Sequence, residues 1–322
     1  MSKSNLRIIF MGTPDFAVDT LKTLIENNYN IVGVITSPDK PAGRGKKIQQ
    51  SAVKKFALEK KLNILQPTNL KNLEFIEQLQ SLNADLQIIV AFRMLPEIVW
   101  NMPKLGSINL HASLLPQYRG SAPINWVIIN GEAETGVSTF FLKHKIDSGD
   151  IIFQQKIIIE ETDNFETLHD KLMNVGAELI LKTLKAVENE QFPKVEQLEL
   201  IKNSNELKTA PKIFKQDCKI NWNNELKEIH NFIRGLSPYP AAWTEIKSTE
   251  NKKFSLKIFK TLKISEIHSF EPGKILSDNK NHIKIAVKDG FISIEQLQLQ
   301  GKKRLNIKDF LRGFNIENYS II

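Results

Sequence analysis

The sequence lacks the features of a secreted, disulfide-bonded or membrane protein. Cys218 is the only cysteine among 322 residues, so intrachain disulfides and zinc sites built from paired cysteines are excluded. There is no run of the roughly 18 uninterrupted apolar residues that a membrane helix needs. The apolar stretch near the start, residues 8–11, is too short for the core of a signal peptide. We therefore expect a cytoplasmic protein that makes no membrane contact.

Metal-binding, nucleophile and dinucleotide motifs are also missing. The six histidines show neither H-x-H nor H-E-x-x-H spacing, so we expect no metal. No nucleophile elbow of the G-x-S-x-G type occurs, which disfavours a covalent acyl-enzyme. The turn at Met11–Phe16 has one glycine where a dinucleotide-binding turn needs three, so dinucleotide binding is disfavoured.

Positive charge is present but is unevenly distributed. From Thr209 to Ile322 there are 20 Lys and Arg against 12 Asp and Glu, which accounts for the whole net charge of +8. A neutral part joined to a basic part is typical of a protein in which one part performs chemistry and the other binds a polyanion. A solvated lysine-rich surface would give the same balance.

A second basic segment lies inside the neutral part. Residues 39–61 contain eight Lys and Arg against two acidic residues, and the centre of the segment, Lys40–Lys47, holds two glycines and a proline. Such a loop can follow a nucleic-acid backbone. We therefore predict phosphate contacts from Arg44, Lys46 and Lys47, with a loop that is only solvated as the alternative.

The order of patterns along the chain predicts two domains. Up to residue 190, short apolar β-branched runs alternate with stretches of helical spacing, which indicates an α/β domain with a mostly parallel sheet covered by helices. Residues 191–212 are polar and carry two prolines, as a linker would. Residues 213–322 contain short strand-like runs separated by turn residues, which is typical of a small β-barrel or sheet.

The most informative stretch for chemistry is Ile108–Gly120. Alternation along a strand puts Asn109 and His111 on one face and turns Leu110 into the packing. An amide and an imidazole at the end of a parallel strand can both donate hydrogen bonds to an oxygen on which negative charge develops. A histidine with a purely structural role is the alternative.

A turn between two strand-like runs, Lys145–Asp150, supplies a carboxylate. Asp147 could accept a proton, orient His111 or hold a water molecule. An aspartate that only caps its own turn is the alternative reading.

These residues together resemble a known family. The run Asn109–Pro116, followed by Tyr118-Arg119-Gly120 and by Asp147–Asp150, is similar to the formyltetrahydrofolate-dependent transferases and hydrolases. The resemblance assigns the catalytic roles to Asn109, His111 and Asp147. It implies 10-formyltetrahydrofolate as the formyl donor, without a metal.

The narrower resemblance is to the methionyl-tRNA formyltransferase family. It rests on Met11–Ala17, the basic loop, Ile233–Trp243 and Gly301–Arg304, and it covers essentially the whole chain. It implies a Rossmann-like catalytic domain, an OB-like C-terminal barrel and methionyl initiator tRNA as substrate, bound by a protein expected to be a monomer. The folate-binding residues are expected to be Ser113, Leu114, Leu115 and Pro116.

Two points from the sequence stay open. The family pattern commonly has Tyr-Gly where this chain has Phe92-Arg93, at a segment that helps line the folate pocket. The same catalytic residues would also serve a sugar-nucleotide N-formyltransferase, a glycinamide ribonucleotide transformylase or a formyltetrahydrofolate hydrolase, and a non-catalytic RNA-binding protein on this fold is a further alternative. None of the enzymes readily explains a basic loop together with a basic second domain.

Overall fold

The computed structural model describes residues 5–42, 45, 47–201 and 207–322. Their contacts divide the chain into two compact units. The first comprises the described residues up to 120 with 135–157 and 169–209, and the second comprises 121–134, 158–168 and 210–322. Two short segments from the first half of the chain therefore pack with the C-terminal third.

The first 201 residues contain most of the α/β elements. The strands are β1 (Arg7–Gly12), β2 (Asn30–Ile35), β3 (Lys40–Ala42), β4 (Lys47–Gln49), β5 (Ile64–Leu65), β6 (Leu86–Val90), β7 (Ser107–His111), β8 (Arg119–Gly120), β9 (Glu134–Phe141) and β10 (Ile151–Ile158). The helices are α1 (Asp15–Glu26), α2 (Ala52–Glu59), α3 (Leu73–Ser81), α4 (Glu97–Trp100), α5 (Pro123–Ile129) and α6 (Phe165–Glu188).

Seven of these strands form one sheet in the order β10-β9-β7-β6-β1-β2-β5. The pairs from β7 through β6, β1 and β2 to β5 are parallel, and β9 runs antiparallel to β7. The central strand β6 is buried along its whole length, as expected when helices cover both faces of a parallel sheet. The predicted Rossmann-like, mostly parallel sheet is confirmed.

The helices begin where the sequence provides capping residues. Asn72 precedes α3 and accepts a hydrogen bond from the backbone N–H of Glu74, and Ser51 does the same for Lys54 at the start of α2. These caps satisfy donors that the first helical turn leaves unpaired. Ile9, Ile76 and other apolar side chains of β1, β6 and α3 then pack into a common core.

The C-terminal third is mainly antiparallel. It contains β11 (Thr209–Ala210), β12 (Ala242–Ser248), β13 (Lys253–Ile264), β14 (Ile275–Ser277), β15 (Ile283–Val287), β16 (Gly290–Leu299), β17 (Leu305–Asn306) and β18 (Tyr319–Ile321), with the helices α7 (Leu226–Gly235) and α8 (Ile307–Leu311). The strands β14-β15-β16-β13-β12-β18 form a strongly paired antiparallel sheet, with β17 added beside β16. The predicted C-terminal OB-like barrel is confirmed as a barrel-like sheet.

Helix α5 packs against α7 within the second unit. The Asn125 side-chain amide donates a hydrogen bond to the Gly235 carbonyl at 2.8 Å. A Cβ atom at Gly235 would lie 2.8 Å from a side-chain carbon of Ile129, so the two helices approach closely where glycine stands. This contact explains why a segment before residue 135 belongs to the same unit as the C-terminal sheet.

No described helix has both the length and the apolar character needed to cross a bilayer. Within the same residues, no three His, Cys, Asp or Glu side chains come together in a way that could hold a metal ion.

One histidine in the second unit is held in its neutral form. The Nδ1 atom of His230 on α7 lies 2.9 Å from the hydroxyl of Thr261 on β13. Burial, helped by the nearby cations of Lys263 and Arg234 and opposed by Glu161, lowers the pKa of His230 from 6.5 to about 4. In an unfolded chain the same imidazole would titrate near 6.5.

The free energy of unfolding should therefore fall as the pH drops from about 6.5 towards 4, because the unfolded state takes up this proton first. At pH 5 the loss from His230 is on the order of 2 kcal/mol. Urea denaturation at pH 7.5 and pH 5 should show a smaller acid-induced loss for His230→Gln than for the wild type. Equal losses in the two proteins would contradict this account of His230.

Candidate active site

The predicted catalytic strand is β7, which lies between β6 and β9 in the sheet. Asn109 is in register with Ile89 of β6 and Phe140 of β9. Leu110 points towards α6, because a Cβ atom on Gly176 of that helix would come within 2.8 Å of the Leu110 side chain. Asn109 and the terminal residue His111 therefore project from the other face, as their spacing predicts.

The Asn109 amide is available to a ligand. Its side chain is half-buried and makes no hydrogen bond to any residue that the structure describes. Polar groups that are removed from water are usually hydrogen-bonded. An amide without a protein partner at the carboxyl edge of a parallel sheet is therefore a candidate for binding a substrate oxygen.

The His111 ring is buried and its two nitrogens have different surroundings. Nε2 lies 2.9 Å from the carbonyl oxygen of Tyr118. A carbonyl can only accept a hydrogen bond, so Nε2 carries a proton. Nδ1 lies 3.9 Å from Oδ2 of Asp147, which is too far for a direct hydrogen bond.

Asp147 occupies the loop that connects β9 to β10. Its Oδ2 atom accepts a hydrogen bond from the backbone N–H of Gly120 at 3.0 Å, and its φ angle is +49°, a region that few non-glycine residues adopt. Two residues later, a Cβ atom on Gly149 would lie 1.5 Å from the Phe141 carbonyl oxygen. The loop is therefore pressed against the end of β9, and this holds the carboxylate beside His111.

Asn109 and His111 thus lie two residues apart on one face of β7, and Asp147 lies beside His111. An amide donor, an imidazole nitrogen and a carboxylate in this arrangement can stabilise an oxyanion and move a proton.

The sequence did not reveal that Gln197 contacts this loop. Gln197 is buried, and its amide donates to the carbonyls of Asp147 and Gly149, both at 2.8 Å. The Arg119 guanidinium donates to the other end of the same amide. Burial lowers the pKa of Arg119, and the Asp147 carboxylate partly offsets that effect. Gln197 stands in a polar stretch without periodicity, which offered no signal.

The four predicted folate-binding residues follow β7 directly. Ser113, Leu115 and Pro116 are buried, whereas Leu114 is half-buried. The Ser113 hydroxyl donates to the Gln117 carbonyl at 2.7 Å, so it is already engaged within the turn. Leu115 packs in a small apolar cluster with side chains of β9 and β10.

Of the three predicted tRNA-binding residues, Arg44 and Lys46 lie outside the described residues. Lys47 is exposed and begins β4, which pairs antiparallel with β3. At the base of this hairpin, Asp39 accepts hydrogen bonds from Lys54 at 2.6 Å and from Gln66 at 2.9 Å, and these bonds lower the pKa of its carboxyl group. The basic segment is thus attached to α2 at its base.

Arg93 lies where the family pattern commonly has glycine. Its guanidinium donates to the carbonyls of Pro67 and Thr68, and it lines an open cavity of about 780 Å³ beside the end of β6. Lys71 and the exposed side chain of Met94 line the same cavity. Here the Arg side chain connects two loops at the carboxyl edge of the sheet.

Two known protein families together match most of the chain. Residues 6–184 match the family described as formyl transferase, and residues 212–315 match that described as formyl transferase, C-terminal domain.

Full-length relatives share more than half of the sequence. The methionyl-tRNA formyltransferase of Bacteroides fragilis is 55% identical over 98% of this chain and 97% of its own length. That of Parabacteroides distasonis is 55% identical over 100% of both chains, and that of Phocaeicola vulgatus is 58% identical over 98% of this chain and 97% of its own.

Solved structures share the fold at much lower identity. HypX from Aquifex aeolicus in complex with tetrahydrofolic acid superposes with a TM-score of 0.62 at 18% identity, covering 96% of this chain and 48% of that chain. This chain therefore spans about half the length of HypX. An N-formyltransferase from Helicobacter canadensis, in complex with folinic acid and dTDP-3-aminofucose, gives 0.62 at 21% identity, covering 93% and 100%.

Proposed function

The chain belongs to the methionyl-tRNA formyltransferase family, and we propose that Asn109, His111 and Asp147 carry out its formyl transfer. The observation that carries this proposal is the position of the Asp147 carboxylate beside His111, which shares one face of β7 with Asn109. The Asn109 amide has no partner among the described residues, and His111 Nδ1 lies 3.9 Å from the Asp147 carboxylate.

The reaction transfers the formyl group of 10-formyltetrahydrofolate to the α-amine of methionine on initiator tRNA. The folate is the formyl-donating substrate. An α-amino group has a reference pKa of about 7.7 to 8.0, and the neighbouring ester lowers it. Much of the amine is therefore neutral near pH 7, so it needs little activation, and the larger task is to stabilise negative charge on the formyl oxygen.

Asn109 performs the first part of that task. Its amide N–H donates to the formyl oxygen as charge builds there, and no hydrogen bond within the described protein has to be broken first. A donor that is already in place contributes more than one that must reorient. The half-buried position strengthens the interaction, because fewer water molecules compete for the oxygen.

His111 and Asp147 manage the proton. The Nε2–H group of His111 already donates its hydrogen bond to the Tyr118 carbonyl. His111 can therefore donate to the substrate only through Nδ1, and only when the ring is protonated. As the new C–N bond forms, Asp147 accepts the proton of the attacking amine, directly or through water. The bond between the formyl carbon and the folate nitrogen then breaks, and one proton is returned to that nitrogen.

The turn after β7 forms the wall of the folate pocket. Leu114, which is half-buried, can contact the folate, whereas Ser113, Leu115 and Pro116 hold the turn from within. Gln154 supports this wall because its amide donates to the Leu115 carbonyl at 2.9 Å.

The tRNA is bound through basic residues in two regions. Arg44, Lys46 and Lys47 of the basic segment contact tRNA phosphates. The basic domain of residues 213–322, joined by the linker 191–212 to the catalytic domain of residues 1–190, contacts other phosphates of the tRNA. The enzyme acts as a monomer in the cytoplasm.

Replacing Asn109 by alanine should lower kcat about 100-fold to 1,000-fold, the usual effect of losing one oxyanion donor. Because the amide has no described protein partner, its removal should leave the melting temperature nearly unchanged. The measurement is turnover with 10-formyltetrahydrofolate and methionyl initiator tRNA, with a UDP-amino sugar as a parallel acceptor. Asn101→Ala, at an exposed site after α4, is the matched control. Wild-type kcat in Asn109→Ala would remove Asn109 from the mechanism.

Replacing Arg44, Lys46 and Lys47 together by alanine should weaken tRNA binding and leave the KM for the folate unchanged. If each residue displaces a counterion, the slope of log K against log salt should become shallower by about 2 to 3. Binding is measured by filter retention at several salt concentrations.

The control for this experiment removes three charges elsewhere, at the exposed Lys22, Lys104 and Lys185. That variant should keep the wild-type slope. An unchanged slope in the hairpin variant would show that the loop is only solvated.

A further inference from the structure

The Gln197 side chain is buried, with 2% of its surface exposed, and uses its full hydrogen-bonding capacity. Its Nε2 atom donates to the carbonyl oxygens of Asp147 and Gly149, each at 2.8 Å. Its Oε1 atom accepts from Nε of Arg119 at 3.0 Å and from Nη2 at 2.6 Å. The guanidinium can only donate and the carbonyls can only accept, so the partners fix which end of the amide is oxygen.

The backbone beside Gln197 is anchored. Val195 exchanges two backbone hydrogen bonds with Ile151, at 2.9 and 3.1 Å, in an antiparallel bridge at the start of β10. The Gln197 side chain therefore enters the site from a fixed segment. It reaches a loop that precedes it by about 50 residues.

The loop that Gln197 contacts has a backbone conformation that must be stabilised. Asp147 has a φ of +49°, in a region that few non-glycine residues adopt. The Gly120 N–H binds the Asp147 carboxylate, and Gln197 binds the Asp147 carbonyl. Arg119 precedes Gly120 in the chain and donates hydrogen bonds to the Gln197 side chain. The contacts of Gly120 and Gln197 with Asp147 are therefore linked through the Arg119 side chain and the Arg119–Gly120 peptide.

We propose that Gln197 is a positioning residue that holds the Asp147 carboxylate beside His111 by binding the Asp147 and Gly149 carbonyls, with Arg119 fixing the orientation of the amide. This inference rests on the proposed role of Asp147. Gln197 touches no reacting atom in this account and acts only through the loop.

The chemistry of the contact requires an amide. A glutamate at 197 would keep an ion pair with Arg119 but would turn a carboxylate oxygen towards two carbonyl oxygens. Gln197→Glu should therefore preserve much of the local packing while it releases the loop. A displacement of a catalytic group by about 1 Å can reduce a rate about 100-fold.

The test is the kinetic effect of Gln197→Glu in two backgrounds. In the wild type, kcat should fall about 10-fold to 100-fold, with each KM changed by less than about threefold, because no substrate contact is lost. In the Asp147→Ala background the same substitution should lower kcat by less than about threefold, since there is no carboxylate left to position.

Two further variants separate positioning from general damage. Arg119→Lys keeps the charge but loses the double contact with Oε1, so it should also lower kcat, and again only when Asp147 is present. If Gln197→Glu does not fold, Arg119→Lys allows the same comparison of kcat with and without Asp147. Gln87→Met, which alters another fully buried amide, in β6, should leave kcat unchanged.

The proposal would be overturned if Gln197→Glu lowered kcat by the same factor with and without Asp147. It would also be overturned if the kcat of Gln197→Glu stayed within threefold of the wild type. Wild-type kcat in Asp147→Ala alone would instead refute the role of Asp147 and so the premise of the proposed mechanism. The two failures are therefore distinguishable.

Discussion

The hydrogen bond from His111 Nε2 to the Tyr118 carbonyl determines what the site can do. It fixes the orientation of the imidazole and places a proton on Nε2, so only Nδ1 is left to face the substrate and Asp147. Because Tyr118 and Gly120 lie two residues apart, the turn that engages His111 also supplies the N–H that binds the Asp147 carboxylate. One short segment after β7 therefore arranges both groups that move the proton.

The fold makes this arrangement possible in two ways. The period-2 alternation of β7 places Asn109 and His111 on one face while Leu110 packs against α6 at Gly176. The loop between β9 and β10 then reaches His111, so that Oδ2 of Asp147 lies 3.9 Å from Nδ1 of the ring. A carboxylate that is distant in sequence is brought beside the imidazole, and the absence of a side chain at Gly149 allows the close contact.

Local rules predicted the strand and the shared face of Asn109 and His111, because alternation and turn residues act over a few positions. Asp147 needed the resemblance to a family, since a turn aspartate has no local mark of catalysis. The contacts of Gln197 could not be predicted, because they are hydrogen bonds to residues that lie 50 and 78 positions away in the sequence. The β3–β4 hairpin was also missed, since its strands have three residues each and one contains a proline.

The central claim, that His111 works through Nδ1 while Nε2 is held by the protein, can be measured by NMR. In enzyme labelled with ¹⁵N-histidine, the His111 resonances, assigned with His111→Gln, report which ring nitrogen carries the proton. We predict that the neutral ring carries its proton on Nε2, the nitrogen that faces the Tyr118 carbonyl. A neutral ring protonated on Nδ1 would contradict it.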